Sequence, residues 1–274
     1  MKAMLSNQIK RIIYRFLRVP IRLKIAMRYY SKNLSQISKW IWQNNETSNF
    51  YYGLTELNRD QLAQIVSMVT GRPYSEITSY FDELENDQEL LNHLQTSINE
   101  SGYESGIEVK YGRRIGWYAF IRATKPKIVI ETGVDHGVGA CVITSALIRN
   151  EQDGSSGRYF GTEIRKEAGA LFSGIYAKYG EIIYGDSIAS LKDFDGKIDL
   201  FVNDSDHSAD YEYAEYEVIK PKLSESAIIL GDNSHVTDKL SQFSRLNARS
   251  YVFFSEKPDQ HWYPGAGIGI SFRK

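Results

Sequence analysis

The run Ile128-Val129-Ile130-Glu131-Thr132-Gly133-Val134-Asp135-His136-Gly137-Val138-Gly139 constrains the fold of this chain more than any other stretch. An apolar strand ends in a carboxylate, breaks into a glycine-rich turn and opens a helix over Ala140 to Ile148. Glycine admits positive φ and lets backbone N–H groups approach a ligand closely, and the helix N-terminus behind it favours negative charge. The spacing is G-x-x-x-G-x-G, not the G-x-G-x-x-G of a dinucleotide fingerprint. Glu131 stands before the first glycine, where it would repel a pyrophosphate. A ligand carrying an ammonium and a carboxylate together suits this turn better.

From residue 113 onward, strands and helices alternate. Strands are expected at 127–132, 159–163, 181–184, 199–203 and 227–231, with helices at 114–124, 140–150, 165–180, 188–193 and 209–220. Such alternation implies a doubly wound parallel sheet. Ser250–Phe254 and Gly267–Phe272 are joined by a loop without a helix, which predicts an antiparallel hairpin. The expected fold is therefore α/β and Rossmann-like: a mostly parallel seven-stranded sheet closed by a C-terminal antiparallel hairpin. Residues 46–112 precede it as a helical cap placed to cover the crevice. There Asn58 is expected to cap a helix, with Gln61 at the reciprocal position. Leu62, Ile65, Val66 and Val69 form its apolar face, and Gly71 ends it. One or two further helices run from Tyr74 to Ile98, and a loop with Gly102, Gly106 and Gly112 follows. The chain thus divides into an arm (1–45), a helical cap (46–112) and a ligand-binding domain (113–274).

The arm is set apart by charge. The whole chain has a net charge of −1, yet residues 1–45 carry ten basic side chains and no acid, leaving −11 on the remainder. That asymmetry points to an anionic partner. Ile9, Ile12, Ile13, Phe16 and Leu17 share one helical face, with Lys10, Arg11, Arg15 and Arg18 elsewhere on the wheel. Pro20 is expected to interrupt this helix, and a second basic-apolar piece runs from Ile21 to Tyr30. Residues 1–32 read as a helix lying on an anionic membrane surface, as a partner-docking helix, or as one docked on the protein's own acidic body. No run of eighteen apolar residues is present to span a bilayer, and no secretory signal is visible. The single cysteine, Cys141, fits a reducing compartment and reads as a buried thiol. These features predict a cytoplasmic protein, peripheral on a membrane.

The strand ends together resemble the class I S-adenosylmethionine (SAM)-dependent methyltransferases, over roughly residues 113–274. Glu131, Gly133 and Gly137 resemble the family's first motif, in which the glycine backbone underlies the methionine part of SAM and the acid supports its amino group. Thr132 and His136 would line the same turn. The resemblance makes Glu163, ending the second strand, the acceptor for the ribose hydroxyls. Asp186, after the third, would meet the adenine edge or cap the next helix. Asp199-Leu200-Phe201-Val202-Asn203-Asp204-Ser205-Asp206-His207-Ser208 resembles the D-L-x-x-x-D-G-D-H-S pattern of a small-molecule O-methyltransferase branch. It departs by carrying Asn203 where an apolar residue is usual and Ser205 where glycine is usual. Asp232-Asn233 is similar to the Asp-Asn pair of catechol-type and caffeoyl-CoA-type O-methyltransferases.

By that resemblance Asp204, Asp232 and Asn233 would bind Mg²⁺ or Ca²⁺, while Asp204, Asp206 and Asp232 read equally as helix caps. Asp204 would also border SAM. His207 stands where the metal-dependent families place a lysine base, and an imidazole is a competent base near neutrality. The implied function is SAM-dependent methylation of a hydroxyl on a small-molecule, glycan-linked or lipid-linked acceptor, with His207 and Asp204 as catalytic residues. His235 and His261 are secondary candidates, and His261-Trp262-Tyr263 is a candidate acceptor wall. Two rivals stand beside this reading. A nicotinamide-dependent oxidoreductase is disfavoured by the glycine spacing and by Glu131. A non-catalytic SAM-fold scaffold would bind membrane or RNA through the arm, whose aromatic residues interleave with its basic ones.

Overall fold

The computed structural model describes residues 2–43, 52–101 and 108–273, which fall into two compact units. One unit is the helix α1 (Lys2–Gln43) together with residues 260–264. The helix runs through Pro20 without a break, so the interruption expected there does not occur. Its apolar side chains are exposed, Phe16 at 72% and Leu17 at 64%. Trp40, near its end, stacks against Trp262 with ring centroids 4.6 Å apart.

The second unit holds the sheet. Its elements are α2 (Glu56–Thr70), α3 (Tyr74–Glu85), α4 (Gln88–Ser101), α5 (Arg114–Thr124), β1 (Ile128–Thr132), α6 (Val138–Gln152), β2 (Arg158–Glu163), β3 (Gly180–Tyr184), α7 (Ser187–Asp193), β4 (Ile198–Asn203), α8 (Ala209–Ile219), β5 (Leu223–Gly231), α9 (Lys239–Leu246), β6 (Ser250–Ser255) and β7 (Gly267–Phe272). The strand order is β3-β2-β1-β4-β5-β7-β6. β1 to β5 pair in parallel, and β7 runs antiparallel to both β5 and β6. This is the expected Rossmann-like sheet with its C-terminal hairpin.

Both faces of the sheet are covered, so its central strands bury side chains in alternation. Val129, Leu200, Val202, Ile228 and Leu230 join one core with α5, α6 and the cap helices. Ile130, Phe201 and Ile229 point the other way, into a core with Leu191, Tyr216, Ile219, Leu240 and Phe243. In the first core Leu62, Val66, Ile77, Phe81 and Leu84 pack with Trp117, Tyr118 and Phe120 of α5. Arg122 of α5 is pinned by Glu83 (2.6 Å) and Asp153 (3.0 Å). The cap helices are therefore an outer layer on α5 and α6.

Two local expectations are corrected, and one helix is added. The α2 cap is Thr55, whose hydroxyl accepts from the Asn58 amide (3.3 Å). Asn58 lies inside the helix, where its side chain donates to the Ser255 carbonyl (2.9 Å) and accepts from the Lys257 amide (2.8 Å). Residues 165–180 form no α-helix beyond a short 3-10 turn at Tyr176–Tyr179. Gly169 and Gly174 take positive φ there, and the Gly169 and Leu171 amides donate to the Asp135 and His136 carbonyls rather than along a helix. α9 was not anticipated.

Candidate active site

Register levels the carboxyl ends of the parallel strands. Thr132 lies opposite both Thr162 and Asn203, and Asn203 opposite Gly231. The order reverses between β1 and β4, the switch point at which open sheets of this kind bind ligands. A cavity of about 440 Å³ opens there, lined among others by Gly133, Glu163, Asp186, Asp204, His207 and Tyr211. Ligand pockets run from roughly 300 to 1,000 Å³, so its size suits a nucleoside-bearing molecule. Among the described residues of the cap, 52–101 and 108–112, none lines it.

The glycine turn serves close approach. Gly133 takes φ +82°, and a Cβ on it would run into the Asp204 carbonyl. The strand ends are tied that tightly because the Asp204 amide donates to the Thr132 carbonyl (2.9 Å). Gly137, at φ +101°, is the N-cap of α6. Glu131 does not line the cavity; it is buried beneath the turn, where Tyr159 Oη donates to it (2.5 Å). Burial pushes its carboxyl up to about 7, partly offset by the Tyr159 hydrogen bond and the Arg114 charge. Thr132 is buried too, while His136 and Asp135 lie beside the turn.

Glu163 accepts from the backbone amides of Asp135 and Arg165, both at 2.9 Å. Arg165 closes the set by pairing with Asp135 (2.6 Å). The β2 carboxylate thus fixes the conformation of the glycine turn while lining the cavity. Asp186 caps α7 through the Ala189 amide (2.8 Å) and accepts from Tyr211 Oη (2.8 Å). Its cap reading is realised at the cavity wall. Tyr211 and Arg165, which line the cavity, were not read as site residues from the sequence.

The buried carboxylate of Glu215 on α8 explains the two departures at the end of β4. It accepts from Asn203 Nδ2, from Ser205 Oγ (2.8 Å), from Ser187 Oγ and from Thr132 Oγ1 (3.4 Å). Burial raises its carboxyl to about 7 against the pull of those donors. Asn203 and Ser205 are polar because an acid lies under them. A sequence signal existed: polar residues at two normally non-polar strand-end positions, with an acid on the next helix.

Asp204 and Asp232 do come together, as the motif implied. Burial and the neighbouring Asp232 charge hold the Asp204 carboxyl well above the usual carboxylate range. Burial alone would raise Asp232 as well, but the Arg113 guanidinium outweighs it and holds Asp232 below that range. Arg113 engages both Asp232 oxygens, Nε to Oδ1 and Nη2 to Oδ2 (2.8 Å). Its Nη1 donates to Tyr52 Oη (3.1 Å), and its backbone amide donates to Glu256 (3.0 Å). A hard divalent cation needs several open oxygen ligands, and both Asp232 oxygens are taken by a cation already. The donor set does not fit Mg²⁺ or Ca²⁺ while Arg113 is in place. No group of three or more His, Cys, Asp or Glu side chains among the described residues is arranged to hold a metal. The Asn233 side chain lies outside the described residues.

Of the histidines, His207 alone lines the cavity, and it is exposed. His235 Nδ1 lies 3.0 Å from the Asp232 carbonyl, a local contact. His93 bonds the Leu171 carbonyl (2.8 Å) in a packing role. His261, Trp262 and Tyr263 belong to the unit of α1. Cys141 is buried against the Leu171 carbonyl, and burial pushes its thiol up.

Sheet order, terminal hairpin and a cavity at the switch point define a Rossmann-like fold of the class I methyltransferase type. Residues 130–234 match a family model described as a methyltransferase domain. Among solved structures, a candidate caffeoyl-CoA O-methyltransferase from Staphylococcus aureus is 14% identical with a TM-score of 0.50, covering 80% of this chain and 100% of its own. The O-methyltransferase TomG of Streptomyces achromogenes, in complex with SAM, is 13% identical with a TM-score of 0.48, covering 69% and 91%. An O-methyltransferase from Bacillus cereus, in complex with SAH, is 13% identical with a TM-score of 0.47, covering 78% and 97%. No curated protein sequence matches the chain.

Proposed function

We propose that the protein transfers a methyl group from SAM to a hydroxyl of a small-molecule, glycan-linked or lipid-linked acceptor. The observation that carries this reading is the cavity at the β1/β4 switch point, with the Gly133 turn, the Glu163 carboxylate and Asp186 on its wall. The residues fit the donor: Glu163 as acceptor for ribose hydroxyls, Asp186 and Tyr211 at the base, and the turn under the methionine part. Glu131 acts from beneath, by supporting that turn. SAM supplies an already activated methyl, so the protein has to align the acceptor and take up its proton. His207, on the cavity rim, is the proposed general base, and Asp204 is the acid proposed to act with it on the same wall.

Binding tests the donor assignment directly. Titration calorimetry should show SAM and its demethylated product binding and NAD not binding. Glu163→Ala should weaken SAM by about 10- to 100-fold, the worth of hydrogen bonds to a charged acceptor. Wild-type affinity in that variant would remove Glu163 from the site, and tight NAD binding would favour the oxidoreductase.

The arm supports a location for this chemistry at the cytoplasmic face of an anionic membrane. No helix among the described residues is long and apolar enough to cross a membrane. α1 nevertheless exposes Ile9, Ile12, Ile13, Phe16 and Leu17 beside a run of basic residues, the pattern of an interfacial helix. The full chain should co-sediment with phosphatidylserine vesicles and be released by salt. A chain lacking residues 1–32 should stay in the supernatant, and undiminished sedimentation would remove the arm's role.

A further inference from the structure

The Asp204–Asp232 pair sits where the motif resemblance places a divalent metal, and a side chain already answers its charge. Arg113 lies at the N-cap of α5, distant in sequence from the side chains it engages: 61 residues from Tyr52, 119 from Asp232 and 143 from Glu256. Its side chain is 10% exposed and those of Asp232 and Glu256 are 4% and 0% exposed. The Glu256 carboxylate spans the arrangement, with Oε1 accepting from the Arg113 amide and Oε2 lying 3.7 Å from Nη1. Tyr52 takes the remaining edge of the guanidinium. A buried cation framed this completely cannot be displaced by solvent, and a dication could reach Asp232 only by removing it. Charges this close and this buried exclude one another strongly.

We propose that Arg113 is a built-in replacement for the divalent metal, a positioning residue that fixes Asp232 and through it Asp204 at the cavity wall. The proposal rests on the methyltransferase reading for its catalytic meaning, but not for its test. A fixed guanidinium offers bidentate geometry to one carboxylate and leaves no open coordination position for the acceptor. The acceptor hydroxyl is then handled by protein groups alone, and the acceptor need not be a diol-like chelator. That widens the substrate class to isolated hydroxyls.

The test is metal binding, followed by the electron paramagnetic resonance signal of free Mn²⁺ added to the full chain. Wild type should leave the signal unchanged, and chelator treatment should leave its SAM affinity unchanged. Arg113→Ala, which uncovers Asp204, Asp232 and Glu256, should bind one Mn²⁺ per chain at least about tenfold more tightly than wild type, since a unit charge is removed at contact distance. The double variant Arg113→Ala/Asp232→Asn should lose that binding. Should the alanine variant not fold, Arg113→Met keeps the volume without the charge and makes the same prediction. Stoichiometric Mn²⁺ binding by wild type that Asp232→Asn abolishes would overturn the proposal. So would a folded Arg113 variant that gains no Mn²⁺ affinity. Failure to bind SAM in any variant or in wild type would bear on the donor assignment, leaving the Mn²⁺ comparison intact.

Discussion

Glu215→Ala should destabilise the protein by about 3–5 kcal/mol, because it strands several buried donors at once. Asn203 Nδ2, Ser187 Oγ, Ser205 Oγ and Thr132 Oγ1 all converge on this one carboxylate, and Asn203 is wholly buried. The expected readout is a lowered denaturation midpoint, and a midpoint equal to wild type would show that the network carries no net stability. SAM affinity should fall with it, because Ser187 and Ser205 line the cavity. Glu215→Gln should recover much of the loss. Its amide oxygen still accepts from Asn203 and Ser205, and the Ser187 hydroxyl can turn to accept from its NH₂ group.

The second large effect is a dependence of stability on pH set by Glu131. Its carboxyl is raised from 4.5 to about 7, first by burial. Between those values the native state keeps a proton that the unfolded chain has lost. Stability from this group is therefore fully present below about 4.5 and declines as pH rises to about 7. The amount is about 3 kcal/mol, or roughly 5–10 °C in Tm for a domain of this size. Glu131→Gln cannot ionise, and its side-chain oxygen can still accept from Tyr159. It should match wild type near about pH 5 and melt higher near about pH 8. Parallel melting curves for the two proteins across that range would show that Glu131 ionises freely in the fold. Glu215, also raised to about 7, adds a contribution of the same sign, so the single variant flattens the wild-type slope without abolishing it.

Much of this architecture was legible because its signals are local. β1, β2 and β4 each pair an apolar run with a polar strand end, and α5 falls at residues 114–124 as expected. Gly133 and Asp204 could be placed together because both terminate strands that such a sheet sets side by side. What failed depended on partners far away in sequence. The stretch 165–180 has helical composition, but its amides are claimed by Asp135 and His136, more than thirty residues earlier. Asn58 has the composition of a cap and is instead held by Ser255 and Lys257. Arg113 sits in a polar loop and gives no local sign that it closes on Asp232. Asn203 and Ser205 were visible as anomalies, and only the buried Glu215 beneath them supplies the reason.

The strand order also bears on how the molecule is made. β7 is synthesised after β6 yet lies between β6 and β5, and all six of its residues are buried. Until Gly267–Phe272 has left the ribosome, β5 presents an open, apolar edge and β6 has no partner in the sheet. The clasp from Gly53, Thr55 and Asn58 to residues 255–259 also waits on a segment made late, just before β7. A ribosome stalled before residue 267 would hold a chain with a template for strand addition exposed. Vectorial synthesis therefore leaves the sheet unfinished until its seventh strand arrives. A chaperone that shields the β5 edge during that interval should raise the yield of folded protein more than one that binds the helical N-terminal segments.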